Sequence, residues 1–385
     1  MKERYYSLDV FRGMTVAFMI LVNNQPGAAY VPLDHAPWHG LTPTDLVFPF
    51  FLFAVGNAMA FVMPRFEEKG SAFFWKKVLR RTLLIFVIGF LLNWFPFFRW
   101  SQDHLVPTGW EYINDKGELA GVRVMGVLQR IALCYGLASI IIYYAKIRGA
   151  LFISGCLLLG YWLLCLLANP SDPYSLQGWF GTNIDKAVFG PQHMYHGEGI
   201  AFDPEGLMST FPAIVSVILG YFAGVYLRQK GKSYETLTHF FVAAVILLFA
   251  GYCWGTLFPI NKKIWTSSYV LVAAGWALCC MSLLIYFIEF RNTRGAWSRF
   301  CDVFGKNPLF IFILSGALPR LIRLIHFRNS SGVYTTPLGW FYDNICTPLS
   351  MGRPENASLW YAITLIILYW LLGLYLDKRK IYIRV

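Results

Sequence analysis

Apolar runs of near-membrane length recur from one end of this chain to the other, and that recurrence limits its fold more than any other feature. They lie at about 10–27, 45–63, 79–98, 124–145, 149–168, 208–227, 237–257, 267–290, 305–325 and 358–376. Roughly 20 apolar residues in a helix cross the hydrocarbon core of a bilayer, and the shorter runs fit with tilt or partial burial. Hydrophobic residues make up 57% of the 385 and charged residues 14%, against roughly 25% charged in a soluble domain. The expected fold is an all-α polytopic membrane protein with about ten transmembrane helices, in a single domain over 1–385.

The net charge of +12 does not point to nucleic acid. The basic residues cluster between the apolar runs, as orientation signals do, and are not interleaved with stacking aromatics. One set comprises Lys2 and Arg4; Arg65, Lys69, Lys76, Lys77, Arg80 and Arg81; Lys146 and Arg148; Arg228, Lys230 and Lys232; Arg291, Arg294 and Arg299; and Lys378, Arg379, Lys380 and Arg384. The opposite set is thinner and spread over longer loops. The bias places both termini in the cytoplasm, which requires an even number of spans. The first run carries Arg12 near its start and no small-residue cleavage site follows, so it reads as a retained helix. Six of the eight cysteines (Cys134, Cys156, Cys165, Cys253, Cys279 and Cys280) fall inside apolar runs and read as small hydrophobes.

Polar groups at membrane depth need partners and favour a bundle interior or a watery cavity. Several occur together near the N-terminus. Asp9 and Arg12 share a helix face and form either an ion pair at the membrane edge or the cationic mouth of an anion site. Asn23 and Asn24 close the first span; they end the helix, or an amide there donates to a developing oxyanion. His35 is the sharpest candidate, since an imidazole accepts a proton from an attacking amine or accepts an acyl group itself. Asp45, ten residues on, orients that imidazole or simply charges the start of the second span. His39 follows His35 at i+4, yet no compact ligand set accompanies them, and no metal is expected. Deeper in the chain, Arg130 in Gly126-Val127-Leu128-Gln129-Arg130 faces a cavity, an acidic partner or a phosphate. Asp203-Pro204-Glu205-Gly206 is a helix-start turn or a pair of carboxylates for an acceptor. Asn261-Lys262-Lys263-Ile264-Trp265 and Gly305-Lys306-Asn307-Pro308 read first as helix-start punctuation.

These segments also carry a resemblance. Ser-Leu-Asp-Val-Phe-Arg-Gly at 7–13, Val22-Asn23, His35-Ala36-Pro37-Trp38-His39-Gly40-Leu41-Thr42, Asp45-Leu46-Val47-Phe48-Pro49 and Gly126–Arg130 form an ordered series with Asp203–Gly206 and Pro259–Trp265. The series resembles the heparan-alpha-glucosaminide N-acetyltransferase family, and in particular its bacterial NagX-type members, within the transmembrane acyltransferase superfamily. The resemblance implies acetyl-CoA entering from the cytoplasmic side as co-substrate and an amino sugar approaching from the opposite face. It implies His35 as the active-site histidine and Asn23, or Asn24 in a register shifted by one, as the active-site asparagine. Arg12 and Arg130 would hold the coenzyme, joined by Arg81 on the basic side. Trp38, His39, Asp203 and Glu205 would meet the acceptor. The sequence has no counterpart of the animal enzyme's large luminal domain, so the expected acceptor is a small amino sugar. A homodimer in a bacterial inner membrane, in contact with lipid, fits the same resemblance.

Three function classes follow. The first is a membrane-embedded acetyltransferase with His35 as base or acyl acceptor. The second is a transporter of sugars or sugar derivatives, which ten spans with buried Arg and Asn also suit; no correspondence between the two halves of the chain supports it. The third is a non-catalytic membrane scaffold.

Overall fold

The computed structural model describes residues 5–101, 104–328 and 332–383; Lys2, Arg4 and Arg384 of the basic pattern lie outside the described residues. The apolar runs form helices: α1 (Tyr6–Asn23), α2 (Val47–Lys69), α3 (Ser71–Trp94), α4 (Val127–Ala168), α5 (Gly181–Phe189), α6 (Leu207–Lys230), α7 (Tyr234–Gly255), α8 (Ser267–Ile285), α9 (Ala296–Lys306), α10 (Pro308–Ile322), the short α11 (Pro337–Phe341) and α12 (Thr347–Leu349), and α13 (Pro354–Lys378). Segments expected as plain loops contain three two-stranded hairpins, Phe98–Ser101 with His104–Pro107, Glu111–Ile113 with Leu119–Gly121, and Phe327–Arg328 with Tyr334–Thr335. Backbone groups outside helices pair there instead of remaining unsatisfied.

Among the described residues, six helices are long and apolar enough to cross a membrane, or seven if the bent pair α9–α10 counts as one span. The ten runs seen in the sequence exceed this number for physical reasons. Helix α4 spans two of those runs, and its backbone breaks between them at Lys146 (φ 55°, ψ −168°). Charged residues sit inside α1 (Asp9, Arg12) and α3 (Lys76, Lys77, Arg80, Arg81). Helix α9 meets α10 at 81°, because Pro308 lacks a backbone N–H and drives the preceding Asn307 out of helical geometry. Helix α1 stops at Asn23, where the Asn24 and Gln25 amides donate back to the carbonyls of Ile20 and Leu21 and Pro26 follows.

The outward faces are apolar. Leu83, Phe152, Leu159, Leu163, Val245, Phe249 and Leu371 are all exposed on helices, which suits lipid rather than water as the surrounding solvent. The most enclosed of the long helices is α6, packed against α2 and α4. Small residues allow that approach. A Cβ on Gly56 would lie 1.8 Å from the Val217 carbonyl oxygen, and one on Gly220 would lie 2.1 Å from that of Phe53. Neither obstacle is a side chain that can swing aside, so the two backbones must separate if either glycine gains a side chain.

Gly220→Val is therefore expected to lower the thermal unfolding midpoint of detergent-solubilised protein by several degrees, the effect of overpacking by about 1–3 kcal/mol. Gly155→Val, where an added Cβ meets nothing within 4 Å, serves as the control and should leave it unchanged or slightly raised.

Candidate active site

The site begins with the connection between α1 and α2. A short 3-10 turn, Pro43–Leu46, precedes α2. Thr42 and Asp45 cap it reciprocally, as a threonine followed three residues later by an acid often does at a helix start. Asp45 is 2% exposed, and its carboxylate is saturated from within the loop. Oδ2 accepts from Thr42 N (3.0 Å), Thr42 Oγ1 (3.1 Å) and Ala36 N (3.2 Å), and Oδ1 lies 2.7 Å from His35 Nδ1. A carboxylate that only accepts fixes the proton on Nδ1 and leaves Nε2 as the basic nitrogen. The imidazole itself stays open, with 41% of the side chain accessible.

Lys262 completes this cluster from the loop before α8. Its ammonium lies 3.1 Å from His35 Nδ1, 3.2 Å from Nε2 and 3.8 Å from Asp45 Oδ1. Burial lowers its pKa from the ordinary lysine value, while Asp45 and Glu205 act in the opposite sense and favour the charged form. The loop is held in place by Asn261, which accepts from Ile264 N through its side chain, and by the Tyr269 hydroxyl, which donates to the Asp45 carbonyl at 2.6 Å.

Two cavities meet at this cluster. One, of about 190 Å³, is lined by Asn23, Met19, Phe48, Phe51 and Phe312; the other, of about 230 Å³, by Trp38, Arg123, Arg130, Tyr195, Glu198 and Lys263. His35, Val127, Glu205 and Lys262 line both, so they form the neck between them. Asn23 also opens onto a third space, of about 300 Å³, bounded by Asn93, Arg320 and Arg323. The two asparagines are separated by geometry: Asn23 shares a cavity with His35, whereas the Asn24 amide donates to the Ile20 carbonyl at 2.8 Å.

The other expected site residues divide among these spaces. Trp38 lines the second cavity and donates through Nε1 to the Tyr174 carbonyl. His39 lines neither cavity at the neck; its Nδ1 lies 3.3 Å from the Asn261 amide nitrogen. Glu205 reaches the neck, while Asp203, 1% exposed, sits behind it as a clamp on Arg123 at 2.6 and 3.0 Å. Arg123 also binds Glu205 and lies over the Tyr195 ring. Burial acts to lower the Arg123 pKa, but Glu205 and Asp203 outweigh it, so the guanidinium stays charged. Arg12 and Arg81 lie elsewhere, in a cavity of about 610 Å³ with Lys306 at the opposite end of α1. Arg130, expected beside them, instead faces the neck's second cavity. It donates to the Gly206 carbonyl and Ser209 and lies over Trp265.

Sequence reasoning passed over two residues. Arg123 is a loop cation next to the Gly126–Arg130 run, and Lys262 reads as punctuation before a helix. The signal available for Lys262 was its segment, Asn261-Lys262-Lys263-Ile264-Trp265, a polar insertion between two apolar runs. The turn carrying Glu205 depends on Asp185 of α5, which is fully buried and accepts from Leu207 N at 2.9 Å. Among the described residues, no group of three His, Cys, Asp or Glu is placed to hold a metal ion.

No family model matches the chain. It is 27% identical over 367 residues to the human heparan-alpha-glucosaminide N-acetyltransferase, covering 80% of this chain and 52% of that protein. It is 26% identical over 369 residues to the mouse enzyme, covering 81% and 53%. The chain spans about half the length of these curated relatives. Matches along so much of this chain make it a homologue of heparan-alpha-glucosaminide N-acetyltransferase, as the ordered motifs anticipated.

Burial pushes the Asp185 carboxyl up to about 7, against the hydrogen bond from Leu207. The folded state therefore holds this proton more tightly than the unfolded chain, whose carboxyl titrates near 4. The stabilisation is complete at low pH and is lost as pH rises from about 4 through about 7. Asp185→Asn keeps the acceptor without the charge. Its unfolding midpoint is expected to gain on that of the unmodified protein by several degrees across this window, measured by differential scanning fluorimetry between pH 4 and 8.

Proposed function

We propose that this protein is a membrane-embedded acetyltransferase that moves an acetyl group from acetyl-CoA to the amine of a small amino sugar or glycan fragment. The observation that carries the reading is that Asn23 and His35 line one cavity, at a neck that opens on the other side into a polar chamber. Helices α1, α3 and α10 each line both the Arg12–Arg81 cavity and the spaces around Asn23. Arg12 and Asn23 are about three helical turns apart on α1, roughly 16 Å of rise, a distance matched to the reach of an extended pantetheine arm. Arg12 and Arg81 would bind the coenzyme's phosphates, with Lys306 beside them.

His35 acts as the base, oriented by Asp45, or accepts the acetyl group itself; direct transfer in a ternary complex is the preferred route. Asn23 donates to the thioester oxygen as charge develops there. Trp38 and Glu205 receive the acceptor, with Asp203 supporting it through Arg123. Arg130 belongs by position to this chamber and contributes to the acceptor's side of the reaction. The fold reading that accompanies this chemistry is ten spans in one domain, with α1, α3, the two halves of α4 and the α9–α10 pair added to the remaining long helices. Both termini lie in the cytoplasm, and the setting is a bacterial inner membrane, with a homodimer of NagX-type chains as the assembly.

Purified protein given radiolabelled acetyl-CoA and glucosamine is expected to form N-acetylated product, and His35→Ala to lose about 10²–10⁴-fold in turnover. Binding of coenzyme without product from either protein would point to another acceptor. Solute uptake into proteoliposomes without any coenzyme binding would replace the acetyltransferase reading with a transporter.

A further inference from the structure

The neck residue that the acetyl-transfer reading leaves without a task is Lys262. A half-buried lysine beside a carboxylate ordinarily serves to neutralise it. Here the carboxylate does not need that service. Asp45 is already met by two backbone N–H groups, a hydroxyl and His35, and the ammonium stands 3.8 Å off, farther than its 3.1 and 3.2 Å approaches to the imidazole nitrogens. An ammonium carries three N–H donors. With the proton of Nδ1 given to Asp45, the ring has one lone pair to offer, at Nε2, and the remaining Lys262 donors face the neck, which that residue lines on both sides.

We propose that Lys262 is a catalytic residue of the transfer, whose ammonium donates to the oxyanion formed on the acetyl carbonyl while His35 takes the proton of the amine. The inference rests on the acetyl-transfer reading and deepens it. The acceptor nitrogen attacks the thioester carbon, a C–N bond forms and the carbonyl π pair moves onto oxygen. The amine proton passes to His35 Nε2, and Lys262 turns its N–H from that nitrogen to the oxygen without giving up a proton. When the tetrahedral centre collapses, the C–S bond breaks and the leaving thiolate takes the proton from the His35 imidazolium. Donors arranged in advance around a developing oxyanion account for rate without tightening the ground state. A cation held beside the base is a stronger donor to such an oxygen than a neutral amide. On this account Asn23 reaches the oxygen from the α1 side of the neck and Lys262 from the side of the loop before α8.

The test compares wild type, Lys262→Met and Lys262→Gln in the acetyl-CoA and glucosamine assay, with coenzyme binding and thermal unfolding measured on each. Lys262→Met is expected to lose about 10²–10³-fold in kcat, with KM for acetyl-CoA and coenzyme binding changed less than about threefold. Lys262→Gln keeps a neutral donor; it should show the same pattern with a smaller loss, and it stands in for the Met variant if that protein does not fold. A kcat within about fivefold of wild type in a folded variant would overturn the proposal, and so would a loss confined to KM. Failure of the underlying reading is a separate result, since wild type itself would then transfer no acetyl group.

Discussion

A carboxylate 2% exposed at the start of a membrane-length helix has to be satisfied from within the protein, since leaving it unpaired in an apolar surrounding costs several kcal/mol. Asp45 meets that requirement by drawing the α1–α2 connection around itself: Ala36, Thr42 and His35 all turn inward to reach it. Tyr269 ties the same turn to α8, which brings the loop bearing Lys262 against the imidazole. Satisfaction of one charge therefore sets the geometry of the basic nitrogen, the cation and the neck together.

The second polar cluster solves a related problem with the opposite sign. Arg123 is enclosed by Asp203, Glu205 and the Tyr195 ring, and Arg130 by Ser209, the Gly206 carbonyl and the Trp265 face. Both guanidinium groups gather the Asp203–Gly206 turn, and Asp185 pins its far end through Leu207 N. This places Glu205 in the neck. Planar guanidinium groups suit the task because each can engage several acceptors and an aromatic face at once. The cavity on the Asn23 side has Phe48, Phe51 and Phe312 in its wall, whereas the chamber beyond His35 has Arg123, Arg130, Glu198 and Lys263, a contrast in keeping with the proposed thioester on one side and hydroxylated amine on the other.

Much of this was legible in the residues. The helical membrane class followed from run length and the scarcity of charge, and the packed helices with outward-facing Leu, Phe and Val agree with it. For Asp45 the residues left two readings, orienting His35 or charging the start of the second span, and the 2.7 Å approach of its carboxylate to the imidazole makes the first the contact that forms. The Asp203–Glu205 turn was legible as paired carboxylates, though not the arginine they would hold. Helix ends were misplaced by a few residues where a side chain decided them, as Asn24 and Gln25 do at α1; Gly305–Pro308 was legible as the start of a helix, but not the bent helix α9 that leads into it. Lys262 was missed because its meaning lies in a contact across 227 residues with His35, which no local pattern records.

The sequence by itself determined that the chain is helical and built for lipid, since a hydrocarbon solvent leaves a run of twenty apolar residues little other choice. It also determined which few polar groups would have to be accommodated at depth. Tertiary structure alone decided how they are divided: Asn23 with His35 in one cavity, Arg130 with the acidic turn, Arg12 with Arg81 at the other end of α1. The physical reason is that charge satisfaction inside a membrane bundle is a property of neighbours in space. Which neighbours meet depends on where glycines such as Gly56 and Gly220 let helices close and where Pro308 bends one away.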